Sequence, residues 1–328
     1  MISHPARQHR LRGPALISPA LARQHARLAG CLTERDRWIL RMCHEHRVLT
    51  TGQLTALGFG TGSAARRRLG RLRGQGVLSS FRPLRATGSA PAHWVLAPAG
   101  AAVLAAEAGL EVRELGYRPD RALAIAHSLH LAHALGVNDW FTALATSSEA
   151  GRLLAWWSQY RCHALWGDLA RPDSYGRFAS GATTLDFFLE FDLGTMTLST
   201  VAAKLTGYAE LARTSAVITP ILLWTPTLAR EAAARKALRQ TWSELTDSDT
   251  VPVATAAAEL VPDRAGASPA QRVWLALEDT GGERVTLAQL PSRWPRVTPV
   301  PATVPISPTS RHAVLAPPPP RPPATGRR

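Results

Sequence analysis

The sequence predicts a mixed protein of α+β or α/β class: a small helical domain ending in a hairpin, then a mixed sheet flanked by helices, with disordered termini. Three observations predict it. Short helical periodicities with cap residues fill the region after residue 31, longer helical and strand-like segments alternate from about residue 122, and both ends are compositionally biased. With 328 residues the chain can bury one large core or two ordinary ones.

Charge is distributed unevenly. Residues 1–82 contain 15 Arg and 3 acids, a net of +12, whereas the remainder holds 23 bases and 21 acids, a net of +2. A localised basic excess points to a polyanionic partner, and double-stranded DNA is the expected one. No run approaches the roughly 18 apolar residues of a membrane span, so no membrane role is expected. Leu28-Ala29-Gly30-Cys31 spells a lipoprotein cleavage box, but Arg23, Gln24, His25 and Arg27 interrupt the apolar stretch that such a signal needs. The three cysteines contain no CxxC pair, and a cytoplasmic location is expected.

The expected organisation runs as follows. Residues 1–30 carry no acid and form a flexible basic arm; 31–97 form the helical domain; 98–121 are a connecting helix and linker. Residues 122–260 form the α/β domain, 261–290 a peripheral segment, and 291–328, with 12 prolines in 38 residues, a disordered tail.

In the helical domain, Thr33 caps TERDRWILRMCHEH, a short helix covers Thr51–Leu57, and Ser63 is the expected cap of SAARRRLGRLRG. On that third helix Ala65, Leu69 and Leu72 share an arc, Arg67 and Arg71 face away, and Arg66 and Arg73 lie on one flank. Val77–Arg82 and His93–Leu96 read as strands around a loop containing Arg85. Three helices and a two-stranded wing form the order of a winged helix-turn-helix, whose third helix enters the major groove. Arg66, Arg67, Arg71, Arg73 and Arg85 are therefore the expected DNA contacts.

In the second domain a long helix is expected over Ala122–Glu149, followed by a strand at Leu153–Cys162 and by GDLARPDSYGRF. The stretch LDFFLEFDL, Leu185–Leu193, then alternates apolar residues with acids, so Asp186, Glu190 and Asp192 share one face, neighbours about 7 Å apart. Buried carboxylates need cations. Among 36 Arg and two Lys, Lys204, one helical turn before Tyr208, is the expected partner. The element order is α-β-β-β-α-β-α-β. His127, His130 and His133 spread too widely for a compact metal site and are expected on the helix surface or facing DNA, an approach of His127 to the acids from near the helix start being the alternative. Trp156, Trp157 and Trp166 are expected in the core. No Walker loop, GxSxG or HExxH motif is present, and no tyrosine lies beside an HxH run, so ATPase, serine- or zinc-protease and relaxase chemistry lack support.

Pro172-Asp173, Glu190-Phe191-Asp192 and Lys204 on this element order resemble the PD-(D/E)xK nuclease core, a restriction-endonuclease-like fold. Over roughly Leu32–Leu260 the chain resembles more closely the replication-relaxation family, proteins of plasmids and integrated mobile elements in Gram-positive bacteria; LEFDLGT and AAKLTGY carry the likeness. The resemblance implies a DNA-binding accessory protein of replication, relaxation or mobilisation, with replication or mobilisation proteins as partners. The nuclease pattern implies Asp173, Glu190, Asp192 and Lys204 as catalytic positions and Asp173 and Glu190 as ligands of Mg²⁺. The chain departs from that pattern where Asp192 replaces the expected lysine and the lysine comes twelve residues later. A metal-dependent endonuclease and a transcriptional regulator are the alternative readings.

Overall fold

The computed structural model describes residues 27–28, 30–83, 88, 90–128, 130–147, 151–215, 217–262, 266–279, 281–300 and 314–323. Most of the basic arm and the loop arginine Arg85 lie outside the described residues.

The first unit contains α1 (Glu34–His46), β1 (Leu49–Thr50), α2 (Thr51–Gly58), α3 (Gly62–Gly74), β2 (Leu78–Phe81) and β3 (His93–Leu96). Thr33 caps α1, as expected, and the structure adds a reciprocal capping box with Asp36. Helix α3 starts earlier than expected, because Thr61, two residues before Ser63, accepts from the Ala64 amide. Strands β2 and β3 pair antiparallel, and β1 adds to the far side of β3 to give the order β1-β3-β2.

Helix α4 (Pro98–Glu107) and short α5 (Pro119–Ala124) lead into α6 (Leu131–Thr146). The single long helix expected here is broken. Ser128 turns extended and its hydroxyl accepts from the His130 amide, a local bond that competes with helix continuation.

The second unit is a six-stranded sheet in the order β4-β5-β6-β7-β8-β9, formed by β4 (Arg152–Ser158), β5 (Ser174–Ser180), β6 (Thr183–Phe191), β7 (Ile221–Thr225), β8 (Val253–Ala257) and β9 (Leu275–Ala276). Strands β6, β7 and β8 run parallel, the other pairs antiparallel. The strand expected to reach Cys162 stops at Ser158, whose hydroxyl caps α7 (Gln159–Trp166). Helices α8 (Leu198–Ser215) and α9 (Leu228–Glu244) supply the crossovers to β7 and β8.

The sheet divides the core. Leu185, Phe187 and Leu189 pack with α6 and with the first unit, whereas Phe188 packs with α7, α8 and α9. The two units share one apolar cluster and a polar seam: Asn138 donates to the Val48 carbonyl (2.7 Å), Gln53 to Asp139 (2.8 Å), and buried Arg161 pairs with buried Glu45 (2.6 Å). Trp156 and Trp166 are buried in these cores and Trp157 is half-buried between Trp166 and Tyr175.

Two stretches of the segment expected to be structureless are packed. Residues 291–300 continue from a 3₁₀ turn (Leu287–Arg293) and bury Trp294 and Val300. Residues 314–323 return to the seam between the units, where the Pro319 carbonyl accepts from Trp38 Nε1 of the first (2.8 Å) and the Leu315 carbonyl from Arg161 of the second (2.6 Å). A proline-rich chain keeps its carbonyls free, and buried indole and guanidinium donors take them.

Candidate functional site

The site is built at the C-terminal end of β6. In the β5–β6 ladder Ser174 lies opposite Leu189, so Asp173, just before β5, lies beside Glu190. The Asp173 amide donates to the Leu189 carbonyl (3.1 Å), and its carboxylate accepts from the Phe191 amide (2.9 Å) and from Gln159 Nε2 (3.2 Å). His133, on α6, adds its Nε2 between Asp173 Oδ2 (3.1 Å) and the Phe191 carbonyl (3.0 Å). Two acceptors flank that nitrogen, so it carries a proton.

Glu190 is buried and faces α8. Lys204 and Tyr208, one turn apart on that helix, donate to its two oxygens. Burial and the Asp173 charge push the Glu190 carboxyl up to about 7, against the opposing pull of Lys204 and Tyr208. Burial would also raise Asp173, but His133, the Lys204 charge and the Phe191 amide outweigh it and hold its carboxyl below the usual range. The same contacts raise Lys204 and His133 against their own desolvation.

The acidic strand therefore resolves into separate pairs. Asp186 is held by Arg177 of the neighbouring strand (2.6 and 2.7 Å) and by the Val300 amide (2.6 Å), and Glu190 by Lys204. Asp192 accepts from Arg230 of α9 (2.6 Å) and from the Gly194 amide (2.7 Å). Asp173, Glu190 and Lys204 converge, and Asp192 lies beside them with its own cation. His133, Gln159 and Arg230 belong to the cluster although sequence reasoning did not place them there. Of the helix histidines, His133 reaches the acids; the side chain of His127, for which an approach to them is the alternative expectation, lies outside the described residues.

The arrangement supplies positive charge to the carboxylates from Lys204 and His133, where a divalent ion would supply it. Both oxygens of Asp173 and both of Glu190 accept from donors, and no group of three His, Cys, Asp or Glu side chains stands together as metal ligands among the described residues. As arranged, this donor set does not fit the octahedral oxygen shell that Mg²⁺ demands.

On α3, Ala65, Leu69 and Leu72 are fully buried, and Arg66, Arg67, Arg71 and Arg73 are exposed. Among the described residues these four form no salt bridge, while Arg68 between them is drawn inward to buried Asp36 (2.7 Å from Nε). Arg73 also reaches Ser80 of β2 (3.3 Å).

Fold and site together define a two-unit α/β protein that joins an arginine-faced helical unit to a sheet bearing a buried Asp-Glu-Lys cluster. A model of the replication-relaxation family matches residues 40–220, more than half of the chain, and the protein belongs to that family. No curated protein and no solved structure matches it. Among the described residues no helix is long and apolar enough to cross a membrane.

Proposed function

We propose that this protein is a DNA-binding accessory factor for replication, relaxation or mobilisation of a plasmid or integrated element, working in the cytoplasm alongside replication or mobilisation proteins. In this reading α1–α3 and the β2–β3 hairpin form a winged helix, and α3 enters the major groove of double-stranded DNA. The observation that carries it is the α3 surface: four exposed arginines without carboxylate partners among the described residues, on a helix whose opposite side is locked into the core. Such a surface neutralises phosphates and releases counterions, so affinity falls steeply with salt. Arg85 would extend the contact along the backbone.

The sheet domain, read as a PD-(D/E)xK-like fold, acts as a scaffold whose acids serve structure. The test is binding of duplex fragments from the element's origin and transfer regions, followed by anisotropy across a salt series. Arg67→Ala with Arg71→Ala should abolish binding, and Mg²⁺ should leave it unchanged. Retained affinity in that double variant removes the reading.

Cleavage is the second reading, favoured by the contact between Lys204 and Glu190 next to Asp173. It requires that Mg²⁺ or Mn²⁺ induce nicking of supercoiled plasmid and that Asp173→Ala or Glu190→Ala stop it. A footprint at a promoter instead of an origin would favour a transcriptional regulator.

A further inference from the structure

A cavity of about 360 Å³ opens between the end of α1, the start of α6 and the β4–α7 junction, with Asp173 and His133 at one wall. Its volume lies at the small end of the range for ligand clefts. His46 is buried, lines the cavity and has no hydrogen-bond partner for its Nε2 among the described residues. Trp156 stacks beneath it with ring centroids 3.7 Å apart, and its indole Nε1 is likewise buried without a partner. Both nitrogens are enclosed by neighbouring side chains, so the polar surface offered to a ligand comes from the rim.

The rim is basic. Arg47 and Arg171 line the cavity, are exposed, and form no salt bridge among the described residues. Arg47 has φ 66°, the only positive value outside glycine among the described residues, and its guanidinium lies 5.9 Å from the Tyr160 ring centroid. Strain of that kind persists where the surroundings over-determine it and is concentrated at ligand sites. The two carboxylates on the walls do not cancel this charge, since Glu45 is engaged by Arg161 and Ser158, and Asp173 by His133 and Gln159.

We propose that this cavity binds one nucleotide unit, its phosphate held by Arg47 and Arg171 and its planar base lying against Tyr160. The chemistry suits a free nucleotide or the 5′-phosphorylated end of a DNA strand. The strand-end source rests on the DNA-binding reading above; the pocket itself does not. Guanidinium groups favour phosphate oxygens in paired geometry, and a base can share the tyrosine face with Arg47.

The test is calorimetric titration of the full chain with inorganic phosphate, with deoxyadenosine monophosphate, and with a short single-stranded oligonucleotide with and without a 5′-phosphate. Expected is saturable binding of the mononucleotide and of the phosphorylated strand, the tighter of the two naming the source. Arg47→Gln and Arg171→Gln, both at exposed positions, should each weaken it at least tenfold while duplex binding persists. Arg67→Ala with Arg71→Ala should do the opposite. Absence of saturable binding, or binding indifferent to Arg47→Gln and Arg171→Gln, overturns the proposal. Inorganic phosphate binding as tightly as the mononucleotide overturns the base contact.

Discussion

Lys204 of α8 meets Glu190 of β6 in direct contact, and Tyr208 one turn later closes the other carboxylate oxygen. The pair is largely buried, Glu190 at 4% exposure and the lysine side chain at 30%. Removing one partner of such a pair strands the other. Lys204→Met should therefore cost about 3 kcal/mol in urea unfolding, and Lys204→Met with Glu190→Gln should cost less than the sum of the single changes. Additive losses would show that the two groups do not interact.

Stability should carry a signature of Glu190 in its pH dependence. Its folded carboxyl is pushed up to about 7 from an ordinary 4.5, so between those values the native state binds more protons than the unfolded chain. The contribution is complete below 4.5 and is lost as pH rises through about 7. Relative to Glu190→Gln, the wild-type protein should lose stability over that window in unfolding titrations; a flat difference contradicts the assignment. His46 has the opposite sign. Burial, aided by the Arg161 charge and opposed by Glu45, lowers it from 6.5 to about 4, so its contribution is present above 6.5 and lost as pH falls through about 4. His46→Gln should remove that acid limb.

Neighbouring arginines on α3 should separate into two kinds. Arg68→Ala leaves fully buried Asp36 without its guanidinium and should cost about 3 kcal/mol of stability. Arg67 and Arg71 touch no carboxylate among the described residues, so Arg67→Ala and Arg71→Ala should each change stability by less than about 0.5 kcal/mol, while lowering the salt slope of DNA binding by about one. Comparing melting with anisotropy for the three variants checks this directly.

Truncation before Val314 removes two carbonyl acceptors, Leu315 for Arg161 and Pro319 for Trp38. The stranded donors should cost about 1–3 kcal/mol, and Trp38 should become accessible to fluorescence quenchers. Unchanged quenching would show that the segment does not dock in solution.

Gly207 is the close approach of α8 to the loop before β5: a Cβ there would lie 2.4 Å from the Leu169 carbonyl oxygen. Alanine favours a helix by about 1 kcal/mol over glycine, but forced overpacking against backbone costs about 1–3 kcal/mol. Gly207→Ala should thus be net destabilising by up to about 2 kcal/mol, measured by thermal or urea unfolding.

Local chemistry made several features legible in the chain alone. Thr33 announces the first helix because an N-cap hydroxyl is satisfied by an amide within four residues. The alternation of Leu185–Leu193 shows a strand with acids on one face, since side-chain direction follows the backbone repeat. The α3 arginines and their apolar stripe are likewise legible, and so is Lys204 as the partner of Glu190.

Only tertiary structure decided which cation serves which acid and which histidine enters the site. Arg177 reaches Asp186 through strand register, Arg230 reaches Asp192 from the start of α9, and His133 reaches Asp173 because α6 begins after the break at Ser128. The docking of 314–323 was also decided there, by the unmet donors of Trp38 and Arg161, one on a helix some 280 residues away in the chain. Composition and periodicity encode what a residue's near neighbours require; they carry no record of distant donors and acceptors, which meet only when the sheet and the two units close on one another.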